Sequence, residues 1–283
     1  MTEPILDKSL VAKATHAPYA LATGSAAVRR LSALHAVYSP VARGVLVEAG
    51  LKAGMKVGDF GSGVGMMTRM LAEMVGPSGF VTGLDFSAAQ VKEAREISAA
   101  NGIHNVSFME ADACETGLPR ASFDLAYCRF LLLHLPNPAA GLKEMLAVLK
   151  PGGILVVEDG DLTSARSEPP SAQNAFADLF GRLGPTRGLD YSMAKNLYEL
   201  MIAAGVENAR LVEHQPENAV YGHRHLLKWS VEEAGAAFVG AGLITEEQLA
   251  KTLVEMQQAI DDPGVMIFSP RMYLVSGNKA KLQ

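Results

Sequence analysis

The spacing of apolar residues changes near residue 55. Between residues 25 and 50 apolar side chains recur every three or four positions, which predicts helix. The pair Ser39-Pro40 interrupts this pattern, and we expect one helix to end there and another to begin. From Met55 onward, short apolar runs alternate with longer amphipathic stretches. The runs read MKVGDF, FVTGLDF, VSFMEAD, FDLAYCRF and ILVVED, and the helices between them are predicted at about 65–75, 88–101 and 139–149.

This alternation predicts an α/β fold, because parallel strands need crossover connections that helices usually provide. After Asp159 the polar stretch DGDLTSARSEPPS is predicted to be a loop. The remaining elements are helices at about 172–183 and 192–204, the strand ARLVEHQP, helices at about 223–240 and 245–261, and the strand RMYLVSG.

The expected architecture is a Rossmann-like, doubly wound and mostly parallel sheet. We interpret residues 1–50 as an N-terminal helical cover and residues 51–283 as the sheet domain. Late helical insertions at about 160–205 and 222–262 are expected to form a lid.

Composition narrows the function. The chain carries 25 Lys and Arg against 30 Asp and Glu, a net charge of −5, which disfavours nucleic acid and anionic membranes as partners. The two cysteines fit no zinc or redox motif, and His223 with His225 lacks a third ligand, so no metal is assigned. Without an evident signal peptide or membrane span, a cytoplasmic protein is expected. The sequence leaves a homo-oligomer open.

Glycines occupy alternate positions where the first strand of the alternating region meets its helix. The segment DFGSGVG contains Asp59, Gly61, Gly63 and Gly65. Glycines at such a turn let the backbone approach a ligand closely, and the following helix offers free N–H groups. A tight turn with no ligand is the alternative interpretation.

Two acids follow at the ends of the next two strands. Asp85 lies twenty residues beyond Gly65, where a carboxylate can accept both ribose hydroxyls of an adenosine, and Asp112 can accept from its exocyclic amine. Each acid alone could be a loop residue or helix cap. Because ligands bind at the carboxyl edge of open α/β sheets, the glycines and both acids together predict an adenosine pocket.

In this order and spacing, DFGSGVG, GLDFS, EADA, FDLAYCRFLLLHLPN and LKPGGILVVED resemble the class I S-adenosylmethionine-dependent methyltransferases over about residues 50–160. The stretch from Tyr19, with RRLSALHAVYSP, is similar to the leading segment of a subgroup that acts on small metabolites. The resemblance implies S-adenosyl-L-methionine as cofactor. The residues that it assigns to the cofactor pocket are Asp59, Gly61, Gly63, Gly65, Asp85, Phe86, Gln90, Asp112, Ala113, Arg129 and the lid candidate Tyr19.

The resemblance also implies transfer of a methyl group to an oxygen, nitrogen or carbon of a small molecule. The tetrapeptide of many nucleic-acid amine methyltransferases is absent, and Cys128-Arg129-Phe130-Leu131 stands in its place. His35 and His134 are candidate general bases, although each could be an ordinary hydrogen-bonded histidine. Tyr191 and Tyr221 are further lid candidates.

Two other functions stay open at this point. A nicotinamide-dependent oxidoreductase also has a glycine turn and a following acid, but its fingerprint places the last glycine three residues beyond the second, where this chain has Met66. A non-catalytic cofactor-binding protein of the same fold is the second alternative.

Overall fold

The structure, a computed structural model, describes residues 20–21 and 27–281, without the side chain of Tyr221. The strands are β1 (Lys56–Phe60), β2 (Phe80–Asp85), β3 (Val106–Glu110), β4 (Phe123–Arg129), β5 (Leu149–Asp161), β6 (Arg166–Glu168), β7 (Val206–His214), β8 (Met266–Phe268) and β9 (Arg271–Lys279). The helices are α1 (Val28–Ala49), α2 (Met66–Val75), α3 (Ala88–Ala100), α4 (Pro138–Val148), α5 (Ala175–Thr186), α6 (Leu197–Ala203), α7 (Tyr221–Arg224), α8 (Leu226–Glu233), α9 (Gly235–Gly240) and α10 (Glu246–Asp261).

One seven-stranded sheet organises these elements, in the order β3-β2-β1-β4-β5-β9-β7. Strands β1 to β5 run parallel to one another, whereas β9 runs antiparallel to both β5 and β7. The predicted fold class is therefore confirmed. The carboxyl ends of β1, β2 and β4 meet at one edge, and the order reverses beside β1, which is where such sheets bind ligands.

Both faces of the central strands β1, β4 and β5 are buried, and their side chains alternate between two apolar layers. In β4, Leu125 and Tyr127 pack on the side of α1 and α2, whereas Ala126 and Cys128 pack on the side of α4 and α5. The sheet therefore forms the middle layer between two sets of helices.

The predicted break at Ser39-Pro40 is wrong, because α1 continues through Pro40. Proline removes one helical hydrogen bond and normally disfavours a helix interior. Here Tyr38, Ala42 and Leu46 are buried on one side of α1, and the Tyr38 hydroxyl donates to the Pro270 carbonyl at 3.0 Å. Tertiary packing therefore keeps the helix intact.

The predicted loop at residues 159–171 is also wrong in part. Strand β5 extends to Asp161, and β6 within this segment pairs antiparallel with β8. Three-residue strands are too short to show a period, and β8 is about a hundred residues away in sequence, so no local pattern marks them. The helix predicted over 223–240 is divided into α7, α8 and α9.

The remaining predicted helices and strands agree with the structure to within a few residues at their ends. No helix among the described residues is both long enough and apolar enough to traverse a bilayer.

Close packing beneath the sheet edge predicts the cost of one substitution. A Cβ atom at Gly83 in β2 would lie 2.7 Å from Phe108 and 3.0 Å from Ser62. We expect Gly83→Ala to lower the free energy of unfolding by about 1–3 kcal/mol through overpacking. Gly44→Ala is the matched control, since nothing lies within 4 Å of its added Cβ in α1, and it should stabilise by about 0.5–1 kcal/mol. Equal denaturant midpoints for the two variants would contradict this account.

Candidate functional site

A cavity of about 320 Å³ lies at the carboxyl ends of β1, β2 and β4. Helices α1, α5 and α8 contribute Leu31, Phe180 and Leu227 to its wall, opposite the sheet edge. The residues that the sheet edge contributes include Asp59, Gly61, Ser62, Gly63, Asp85, Phe86, Gln90, Asp112, Ala113 and Arg129. The structure thus brings together most of the residues singled out in the sequence.

The glycine turn presents backbone to this cavity. Gly61 and Gly63 have φ values of 70° and 54°, in the left-handed region. A Cβ atom at Gly63 would have only Leu31 near it, at 3.9 Å, so this position faces open space. Between the glycines, the buried Ser62 hydroxyl has no hydrogen-bond partner within the described residues. The turn therefore offers both room and an unused polar group.

Gly65 has a different reason to be glycine. It is the N-cap of α2 with φ 78°, and its Cβ would lie 2.7 Å from Phe108 and 2.9 Å from Arg69. It does not belong to the wall residues of the cavity. Close packing against β3, together with the left-handed backbone, accounts for this third glycine.

Asp85 fastens the turn to the neighbouring strand. Its Oδ2 accepts a hydrogen bond from the Gly63 N–H at 2.8 Å, and its Oδ1 accepts one from the Ser87 N–H at 2.9 Å. Burial raises the pKa of Asp85, and these two hydrogen bonds act against the increase. One carboxylate therefore holds the ends of two loops at the cavity.

Asp59 forms the buried floor of the site. Only 1% of the residue is exposed, and its Oδ2 accepts a hydrogen bond from the Thr68 hydroxyl at 2.6 Å. Burial raises the pKa of Asp59 to about 7, although the Thr68 hydrogen bond and the charge of Arg129 lower it. The group can therefore gain or lose a proton near neutral pH.

The end of the cavity beside β3 has a mixed polar and aromatic character. Asp112 accepts a hydrogen bond from the Cys114 N–H at 2.8 Å, and Ala113 is buried next to it. Phe86 is 67% exposed at the wall, whereas Gln90 is buried. An exposed ring beside a carboxylate is suited to a flat polar heterocycle.

Arg129 connects the site to a second depression. Its guanidinium donates to Ser39 Oγ at 3.3 Å and lies 3.5 Å from His35 Nδ1. His35 does not line the cavity, but belongs to a more open groove of about 1270 Å³ between α1 and α2. Burial, followed by the charge of Arg129, lowers the pKa of His35 to about 4.

His134 does line the cavity. Its ring meets the edge of Tyr191 with centroids 5.7 Å apart. Burial is the largest cause that lowers its pKa to about 3, and the charges of Arg30 and Arg187 add to the effect. The imidazole is therefore neutral at physiological pH.

Comparison with known proteins shows the family of this chain. A family model described as a methyltransferase domain matches residues 51–215, more than half of the chain. The chain belongs to the methyltransferase domain family.

Demethylmenaquinone methyltransferase of Staphylococcus aureus is a curated relative of this chain, and the two are 34% identical over 155 residues. The matched region covers 55% of this chain and 62% of that enzyme, so the chain spans less than two thirds of the relative's length.

Solved methyltransferase structures share the fold. An S-adenosylmethionine-dependent methyltransferase from Aquifex aeolicus is 25% identical with a TM-score of 0.50, covering 66% of this chain and 86% of that one. Phosphoethanolamine N-methyltransferase 2 of Haemonchus contortus, solved with S-adenosyl-L-methionine, has a TM-score of 0.53 at 17% identity, covering 90% and 52%. The methyltransferase family match also disfavours the oxidoreductase alternative.

Two arginines in the wall of this cavity were not predicted from the sequence. Arg30 lies on α1 and Arg187 follows α5, and both line the cavity with His134. Arg30 lies about one helical turn before the buried Ala33, on the apolar face of α1. A charged residue on that face was a signal that the sequence offered. No local pattern marks Arg187, because only the packing of α5 brings it to the site.

Two further expectations concern Tyr19 and a metal site. Tyr19 lies outside the described residues. Within residues 20–21 and 27–281, no cluster of three or more His, Cys, Asp or Glu side chains is arranged to hold a metal ion.

The raised pKa of Asp59 predicts a pH-dependent stability. A carboxyl with a higher pKa in the folded state binds its proton more tightly there, so ionising it costs stability as pH rises from about 4 to about 7. Asp59→Asn should remove this cost. Without added ligand, the difference in free energy of unfolding between the variant and the unmodified protein should be about 2–4 kcal/mol more favourable to the variant at pH 8 than at pH 4. Denaturant unfolding at several pH values measures the difference.

Asp124→Asn is the control of opposite sign. Burial raises the pKa of Asp124, but hydrogen bonds from Lys150 and from the Lys56 N–H outweigh it, so the net pKa is lowered. Its stabilisation is present above about pH 4 and is lost as pH falls. Asp124→Asn should therefore destabilise at pH 8. A similar response in both variants would show that Asp59 is not the titrating group.

Proposed function

We propose that the protein is an S-adenosyl-L-methionine-dependent methyltransferase that acts on an oxygen, nitrogen or carbon of a small molecule. The observation that most supports this is one cavity wall that combines the left-handed glycine turn, Asp85 and Asp112. An open turn, a ribose-binding acid and an acid beside an exposed aromatic ring match the parts of an adenosyl group. When bound, S-adenosyl-L-methionine supplies a methyl group activated by a positively charged sulfur.

Asp85 and Asp112 would hold the nucleoside. Asp85 already accepts two backbone hydrogen bonds, and its remaining lone pairs can accept the ribose hydroxyls. Asp112 would accept from the adenine amine, with Phe86 packed on the ring and Gln90 and Ala113 as neighbours. These are charge-assisted or aromatic contacts, which favour both affinity and orientation.

Asp59 and the glycine turn would hold the amino-acid portion. The open space beside Gly63 leaves room for the chain, and the unused Ser62 hydroxyl supplies a donor. An ammonium group next to Asp59 would favour the ionised carboxylate and offset its burial. We propose the carbonyl of Arg129 as a further acceptor for that ammonium group.

Alignment and exclusion of water would supply the acceleration. Leu31, Phe180 and Leu227 enclose the cavity from the helical side, and well-oriented partners gain about 7–11 kcal/mol over free encounter. We accordingly propose residues 1–50 as a cover and residues 51–283 as the methyltransferase domain, with insertions at about 160–205 and 222–262 completing the lid. His134 is the candidate base that lines this cavity.

The rest of the assignment follows from charge and size. The net charge of −5 disfavours nucleic acid and anionic membranes, and the enclosed cavity favours a small acceptor. A cytoplasmic location is part of the proposal, and a homo-oligomer is compatible with it.

Loss of the Asp85 carboxylate should weaken cofactor binding. Asp85→Ala removes the two charge-assisted hydrogen bonds that we propose between Asp85 and the ribose hydroxyls. We therefore expect the Kd for S-adenosyl-L-methionine to rise at least about tenfold. Glu110→Ala is the matched control, because Glu110 is the exposed register partner of Asp85 on β3 and does not line the cavity. Isothermal calorimetry on both folded variants tests the assignment. Unchanged affinity in Asp85→Ala would remove Asp85 from the site.

A side chain on the glycine turn should block binding. Gly63→Val would fill the open space beside Leu31, so cofactor binding should fall below detection while most of the fold survives. Gly102→Val controls for backbone strain, because Gly102 also has a positive φ, 65°, with nothing near its Cβ, and lies away from the cavity. Native affinity in Gly63→Val, or equal loss in Gly102→Val, would argue against the proposed cofactor site.

A further inference from the structure

Phe130 has a backbone conformation that a large side chain rarely adopts. Among residues 20–21 and 27–281, the residues other than glycine that have a positive φ are Ala121 at 54°, Phe130 at 50° and Asn208 at 53°. Asparagine tolerates this left-handed region, whereas a bulky residue there is strained. Of the three, Phe130 is the one that lines the cavity. Strain of this kind persists where the surrounding structure enforces it, and it is concentrated at functional sites.

The contacts of the Phe130 ring and N–H hold this conformation. A Cβ atom at Gly160 in β5 would lie 2.5 Å from the ring, so the ring packs directly on the strand backbone there. The Tyr38 ring of α1 meets it edge to face, with centroids 5.5 Å apart. The Phe130 N–H donates to the Glu158 carbonyl at 2.9 Å. Because φ is the torsion between the N–H and the Cα atom that carries the ring, fixing both groups fixes φ.

The peptide bond between Arg129 and Phe130 directs the Arg129 carbonyl. This bond is trans, so its C=O and N–H point in opposite directions. The N–H points to Glu158 in β5, and the carbonyl therefore points toward the side of β1. The register of β1 with β4 ends one residue before Arg129, and the Ser62 N–H donates to the Leu84 carbonyl of β2 at 2.8 Å. The Arg129 carbonyl accordingly lies past the last strand pair, on the side of the glycine turn.

Leu131, the residue after Phe130, contacts the same turn. A Cβ atom at Gly61 would lie 3.0 Å from Leu131 Cδ1, so this leucine packs closely on the turn backbone. Leu131 also lines the cavity, and its carbonyl accepts a hydrogen bond from the His134 N–H at 2.9 Å. The backbone of Phe130 therefore sets the placement of both of its neighbours at the glycine turn.

We propose that Phe130 is a positioning residue for S-adenosyl-L-methionine: its left-handed backbone, held by the packing of its ring on Gly160 and Tyr38, aims the Arg129 carbonyl at the ammonium group of the cofactor. The inference deepens the proposed function and rests on it. A backbone that relaxes to negative φ changes the direction of this carbonyl. The cofactor then binds fully only in the fraction of molecules that keep the left-handed form.

Alanine and glycine at residue 130 separate the role of the backbone from that of the ring. Phe130→Ala and Phe130→Gly both lose the ring, but glycine adopts a positive φ without strain, whereas alanine favours negative φ. The full-length variants are titrated by calorimetry with S-adenosylhomocysteine and with 5′-methylthioadenosine, which keeps the nucleoside and sulfur but lacks the amino-acid portion. We expect the Kd for S-adenosylhomocysteine to be about five- to thirtyfold higher in Phe130→Ala than in Phe130→Gly. For 5′-methylthioadenosine the two variants should agree within about twofold.

Two further variants complete the design. Ala121→Gly is the matched control, because Ala121 has the same left-handed backbone but does not line the cavity, and neither Kd should change. Gly160→Ala displaces the Phe130 ring from outside the cavity wall, and it carries the test if a variant of Phe130 fails to fold. It should raise the Kd for S-adenosylhomocysteine at least about fivefold and that for 5′-methylthioadenosine less than about twofold.

The outcomes separate the two proposals. Equal S-adenosylhomocysteine affinities in Phe130→Ala and Phe130→Gly would overturn the positioning role, and so would a parallel loss of 5′-methylthioadenosine affinity in Phe130→Ala. If the unmodified protein binds S-adenosylhomocysteine no more tightly than 5′-methylthioadenosine, the positioning role is overturned and the nucleoside assignment stands. Failure of the unmodified protein to bind either molecule refutes the proposed function itself.

Discussion

The carboxylate of Asp85 is the contact on which the rest of the site depends. It joins the Gly63 N–H, at the end of one parallel strand, to the Ser87 N–H, at the start of α3. Adjacent parallel strands end at the same edge of the sheet, so a single side chain can fix two loops there. The carboxylate therefore connects the left-handed glycine turn to the start of α3 beside the cavity.

Burial of charge is the cost of this arrangement. Asp59 and Asp159 are almost fully buried, and burial raises the pKa of each to about 7. Asp59 accepts a hydrogen bond from the Thr68 hydroxyl and is stabilised by the charge of Arg129, whereas the buried Arg30 forms an ion pair with Glu233. Each partner offsets only part of the desolvation, and a ligand with complementary charges would offset more. A cationic group near Asp59 and an anionic group near Arg30 would each do so.

The sequence could predict the parts of the site that depend on local pattern and strand order. Gly61, Gly63, Asp85 and Asp112 follow strands that alternate with helices, and parallel strands bring their carboxyl ends to one edge. Gly65 was grouped with them because sequence spacing does not distinguish a glycine that faces a ligand from one packed against Phe108. The confirmed fold class has the same local origin, whereas the confirmed family was expected from the resemblance of these motifs to known methyltransferases.

What the sequence by itself determined is the α/β order, the methyltransferase family and the glycine and acid motifs, because these depend on short-range periodicity and on spacing along the chain. Tertiary structure alone decided the continuity of α1 through Pro40, the pairing of β6 with β8, and the placement of Arg30 and Arg187 in the wall of one cavity. These features join residues that are far apart in sequence or override a local preference through packing. No local pattern records such contacts, since their energy comes from neighbours that only the folded chain provides.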